Sequence, residues 1–164
     1  MRSYSCPKCG TAKTRLAPRH GVTDRLLSTL TIYPLRCQLC AHRFTILLGK
    51  LKANPRRNYD WVPVQYPAQV RPVHDPSQHV VVEGMLSNLS LRGCRVLTKQ
   101  RIPLGCQVML EFHPAEYDDP IMVDGAIVRS RCAEWIGLRF SSFLRSEERR
   151  LRRILDLRLP DQTI

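Results

Sequence analysis

The chain has 164 residues, 43% hydrophobic and 24% charged, which is enough for one substantial core plus a small appendage and too apolar for a disordered tail. Its longest uncharged apolar stretch, "LLSTLTIYPL" at 26–35, falls well short of the roughly 20 residues that a membrane span needs. "MRSYSCPKCG" has no apolar segment of the secretory kind, so the expectation is a cytoplasmic protein with no membrane span.

The formal charge of +12 is unevenly placed. Residues 1–56 carry eleven Lys or Arg against one acid, Asp24, while residues 57–164 carry fifteen against thirteen acids. Any nucleic-acid partner attracted by charge therefore belongs to residues 1–56.

The first motif in chain order is a pair of Cys-x-x-Cys turns, Cys6 and Cys9 in "CPKCG" and Cys37 and Cys40 in "CQLCAHRF". One such pair leaves a redox reading open; two supply the four soft ligands that tetrahedral Zn²⁺ takes. Gly10 follows the first pair and Ala41 the second, and Phe44 can sit beneath the metal. The twenty-seven residues between the pairs exceed the roughly 15 to 20 of a compact double knuckle, so the insert should have structure of its own. Thr23 and Asp24 offer a helix start, Leu26, Leu27 and Leu30 an apolar stripe, and Pro34 a stop. A module over residues 1–54 that resembles a zinc ribbon, with linker, is expected to fold around its metal. Four thiolates leave no coordination position for water, which makes the zinc structural. They also add net negative charge that Lys8, Lys13, Arg36 and Arg43 offset locally, which weakens the nucleic-acid reading.

The charge balance changes across "GKLKANPRRNYDWVPV", and a boundary is placed near residue 55. Six strand-like runs follow at 61–72, 79–89, 93–98, 106–113, 121–132 and 134–141, separated by Pro- and Gly-rich turns, and predict a small antiparallel barrel. Trp61 and Trp135 are read as packing residues, and Cys94, Cys106 and Cys132 as small buried apolar groups. His74 and His79 in "HDPSQH" read as an ordinary loop. The tail "SEERRLRRILDLRL" predicts a helix capped by Ser146, with Leu151, Ile154 and Leu155 as its buried stripe and Glu148 paired to Arg152.

Within this second region, "RRNYDWVPV" before the first strand, "NLSLRG" after the second, "IGLRF" on the last strand and the terminal helix together resemble the PilZ domain over about residues 56–158. The resemblance implies a mainly β fold over 55–164: a six-stranded antiparallel barrel with a C-terminal helix, preceded by the small zinc ribbon-like module. It implies cyclic di-GMP as ligand, held by an Arg-x-x-x-Arg before the first strand and an Asp/Asn-x-Ser-x-x-Gly turn. On this chain the turn is complete as Asn88, Ser90 and Gly93. The arginine motif begins at Arg57, preceded by Arg56, but Trp61 occupies its second position. Tryptophan keeps a stacking face and loses a charge-assisted contact of roughly 1.5–3 kcal/mol, for which Arg56, Arg92 or Lys52 could compensate.

The expected function is a non-enzymatic cyclic di-GMP-binding regulator, with Arg56 and Arg57 belonging both to the linker and to the ligand site. The alternatives are a PilZ-like scaffold that no longer binds the nucleotide and acts through an unidentified protein partner, and a nucleic-acid-binding ribbon. No Ser, His and acid constellation, phosphate-cradling Gly-rich loop or open metal site points to an enzyme.

Overall fold

The computed structural model describes residues 4–18, 32–47, 61–73 and 81–159. Nine strands and one helix occur among them, in two compact units, the second of which spans Trp61–Leu157.

The first unit holds a three-stranded antiparallel sheet of β1 (Thr14–Leu16), β2 (Ile32–Cys37) and β3 (Arg43–Leu47), in that order. Among its described residues up to Leu47, the buried apolar groups include Cys6, Ala17, Leu35, Cys37 and Leu39. Residues 19–31, which include most of the predicted insert helix, lie outside the described residues. The end assigned to that helix is corrected, because Ile32, Tyr33 and Pro34 belong to β2 and pair with Leu47, Ile46 and Thr45. A residue preceding proline is pushed to extended backbone, and Pro34, which has no N–H, still contributes its carbonyl to the Ala17 amide at 2.8 Å.

The second unit is a closed barrel of β4 (Val62–Pro72), β5 (Val82–Ser90), β6 (Gly93–Leu97), β7 (Gln107–Phe112), β8 (Ile121–Arg131) and β9 (Trp135–Ser142). The strands run antiparallel in the order β4-β5-β6-β9-β8-β7, so no edge is left unpaired. The period of two is strict on β4, where Val62, Val64, Tyr66, Ala68 and Val70 face the core. Tyr66 stacks on Phe112 and places its hydroxyl against the Glu116 carboxylate at 2.7 Å, which satisfies a buried donor. The six predicted strands and the mainly β class are both borne out. Of the two tryptophans expected to pack in the core or at a barrel end, Trp61 lies outside the core, 45% exposed just before β4. Cys94 is buried as expected, but Cys106 is half-buried and Cys132 exposed, since both fall just outside the strands.

The C-terminal helix α1 (Arg145–Arg158) buries Leu151, Ile154 and Leu155, the predicted stripe, and Arg152 meets Glu148 at 2.8 Å. Its first turn begins two residues earlier than predicted, because the Glu148 amide donates to the Leu144 carbonyl and Ser146 lies inside the helix. Two residues tie α1 to the β7–β8 loop and the start of β8: Glu147 accepts from the Met122 amide, and Arg150 donates to the carbonyls of Pro120 and Asp119 at 3.0 and 2.6 Å. Arg150 also pairs with Glu147 at 3.1 Å and lies over the Tyr117 ring. No helix among the described residues is long and apolar enough to cross a membrane.

Arg150→Ala therefore strands two backbone carbonyls and a half-buried carboxylate, and is expected to lower stability by about 2 kcal/mol in urea denaturation. Arg149→Ala, on the exposed face of the same helix, should change it by less than about 0.5 kcal/mol.

Candidate functional site

Each Cys-x-x-Cys forms a tight turn with the same hydrogen-bond pattern. The Cys6 amide donates to Thr11 O and the Gly10 amide to Cys6 O; the Cys37 amide donates to His42 O and the Ala41 amide to Cys37 O. Both residues after the second cysteine are left-handed, Gly10 at φ 75° and Ala41 at φ 57°. For alanine that conformation costs about 1 kcal/mol, and the turn imposes it regardless. The Gln38 amide, donating to Lys13 O at 2.9 Å, ties the second turn to the segment that leads from the first into β1.

The four sulfurs converge as a result. Cys6 and Cys40 Sγ are 3.7 Å apart, Cys9 and Cys37 Sγ 3.5 Å, and all four lie within 4.8 Å of one another. A tetrahedron of sulfurs about 2.3 Å from a central ion has edges of about 3.8 Å, so the group fits a metal. Burial pushes the Cys37 thiol up, against the opposing pull of the Cys40 amide. A bound cation displaces that proton and compensates the buried sulfur charge.

The Asn-x-Ser-x-x-Gly sequence turns from β5 into β6. Ser90 is buried, and its Oγ accepts from the Arg92 amide at 3.2 Å and donates to Gly93 O at 3.1 Å. The hydroxyl thus closes its own turn. Gly93 lies against β9 so closely that a Cβ would collide with the Leu138 carbonyl oxygen. Two of the three motif residues are therefore required by the fold itself. Asn88 is different: it is half-buried beside a bulge, and among the described residues its side-chain oxygen accepts from Ser87 Oγ alone, at 3.2 Å.

A cleft of about 820 Å³ opens on the barrel next to this turn. Leu91, Arg92 and Cys94 reach it from the turn and β6, Arg129 and Ser130 from β8, and Gly137 and Arg139 from β9, with Trp61 at one side. Asn88, Ser90 and Gly93 are not part of the lining. Arg56 and Arg57, the other predicted ligand residues, lie outside the described residues, as do His74 and His79. Sequence reasoning missed Arg129 and Arg139. The outward position of Arg139 was readable from the alternation of "IGLRF", but nothing local says that β9 lies between β6 and β8.

Gly93→Ala is expected to lower stability by about 2 kcal/mol with no ligand present, because the obstructing atom is backbone. Asn88→Ala should change it by less than about 1 kcal/mol in the same thermal or urea melt.

No curated protein matches the sequence at a significant level. Solved structures do: the PilZ domain of CeSA from a cellulose synthesizing bacterium is 16% identical, with 57% of this chain and 92% of that one covered and a TM-score of 0.45. Escherichia coli YcgR, in complex with c-di-GMP, is 17% identical over 87% of this chain and 76% of that one, with a TM-score of 0.48. The Bacillus subtilis inhibitor of motility (MotI/DgrA) is 13% identical over 74% of this chain and 63% of that one, with a TM-score of 0.46, so this chain spans less than two thirds of it. Residues 55–157 match the PilZ domain profile, and the chain belongs to the PilZ domain family, whose members are regulatory binding domains rather than enzymes.

Proposed function

We propose that the protein is a non-enzymatic cyclic di-GMP-binding regulator with a structural zinc module. In this reading residues 55–164 take the nucleotide at the β5–β6 turn and the adjoining cleft, using Asn88 together with Arg56 and Arg57 from the preceding segment. Ser90 and Gly93 hold the turn in shape. Residues 1–54 form a module folded around Zn²⁺ on Cys6, Cys9, Cys37 and Cys40, and pass the bound state to a protein partner. The observation that carries the nucleotide reading is the cleft itself: in a domain of the PilZ family, an arginine-lined pocket opens beside an intact Asn88, Ser90 and Gly93 turn.

The geometry of the four sulfurs supports zinc over a redox pair. A dithiol switch needs two cysteines, whereas here four converge from two turns of equivalent hydrogen bonding. When bound, the ion holds both turns together.

A second reading, a scaffold that has lost the nucleotide, draws on Trp61 standing at the second arginine position and on Ser90 and Gly93 being explained by the fold alone.

Calorimetric titration of the zinc-loaded chain with cyclic di-GMP should give saturable binding and a raised melting temperature, since a ligand that binds only the folded state stabilises it. Absence of both at about 100 μM ligand defeats the receptor reading. Trp61→Arg separates the two readings: a working site changes affinity modestly, whereas a lost site gains binding only in the variant. Metal analysis should find one zinc per chain. Chelation, or Cys37→Ser, should abolish the dispersed NMR signals of β1–β3 while those of the barrel persist.

A further inference from the structure

Three arginines, Arg92, Arg129 and Arg139, line one cleft whose described lining residues include no carboxylate. None of the three makes an ion pair with a described residue, whereas Arg71, Arg150 and Arg152 on the same unit each meet a glutamate. Their grouping follows from strand order. Arg139 on β9 sits opposite Gly93 of β6 on one side and Ile127 of β8 on the other. Arg92 and Arg129, one and two residues from those partners, therefore flank it across strands about 4.8 Å apart. Like charges so placed repel, and an anion relieves the repulsion.

Two local features shape the cleft around them. A bulge between Val128 and Ser130 leaves Arg129 and Ser130 both exposed, where strict alternation would turn one inward. Gly137, paired with Ser130, presents no side chain there; a Cβ would strike Ser130 Oγ. Beside this arginine wall, Trp61 keeps a flat apolar face 45% exposed.

Guanidinium forks hold phosphate oxygens bidentately, and an exposed indole is a stacking platform for a base. We infer that Arg129 and Arg139, with Arg92, form a phosphate clamp built from strands, and that Trp61 stacks on a base. The cleft then recognises a purine phosphodiester with no arginine at position 61. This rests on the reading of the cleft as the nucleotide site.

The test uses the zinc-loaded full chain carrying Trp135→Phe, which leaves Trp61 as the only indole of the two. Cyclic di-GMP and, separately, GTP are titrated while heat and Trp61 fluorescence are followed. The expected result is quenching by cyclic di-GMP, with Arg129→Ala and Arg139→Ala each weakening its binding by at least about tenfold at unchanged melting temperature. Arg149→Ala on the helix should leave binding as it was. A double Arg129→Ala, Arg139→Ala variant that binds cyclic di-GMP at full strength overturns the clamp and leaves the nucleotide reading standing. Full binding without any change in Trp61 fluorescence overturns the stacking role. GTP quenching that Arg139→Ala abolishes, with no response to cyclic di-GMP, keeps the clamp and overturns that ligand; no response to either nucleotide overturns both.

Discussion

The pairing of β6 with β9 is the contact on which the rest of the second unit depends. It closes the barrel between two strands far apart in sequence, and it does so through a backbone approach at Gly93 that no other residue allows. The same pairing sets Arg139 beside the β5–β6 turn and carries the Phe140 amide to the Arg92 carbonyl at 2.9 Å. The turn, the cleft and the closure of the sheet are thus one construction. A motif that reads as a list of ligand contacts is in large part a recipe for this junction: Ser90 shapes the turn, Gly93 admits β9, and Asn88 alone keeps capacity to spare.

The first unit obeys a different constraint. Among its described residues, the two cysteine turns are brought together at the end of a three-stranded sheet, with Cys6 and Cys37 buried. The repeated hydrogen-bond pattern, together with a left-handed alanine where glycine would be easier, shows how strongly the turn geometry is imposed. Among the described residues of this unit, four converging sulfurs are the feature that draws separate stretches of chain together. Burial makes the Cys37 thiol resist ionisation, so a cation held among the four sulfurs would change both the local charge and the cohesion of the turns.

Much of this was legible in the chain. The strands of the barrel show a period of two and the helix an apolar stripe, because each of these elements buries one face and exposes the other. The spacing of the four cysteines declares a tetrahedral centre, since a two-residue gap aims both sulfurs of a pair at one point. Local patterns were less reliable at ends. The first turn of α1 follows the Leu144 carbonyl rather than Ser146, and the insert ends in a strand because Ile32 and Tyr33 find a partner in β3.

What the sequence determined by itself, then, was the kind of elements, their order, the two Cys-x-x-Cys pairs and the Asn88, Ser90 and Gly93 turn, all of which rest on chemistry within a few residues. Tertiary structure alone decided that Arg92, Arg129 and Arg139 face one cleft and that Trp61 stands exposed beside them. Those residues come from four separate stretches of chain, and only the closing of the barrel, with its register and its bulge on β8, makes them neighbours.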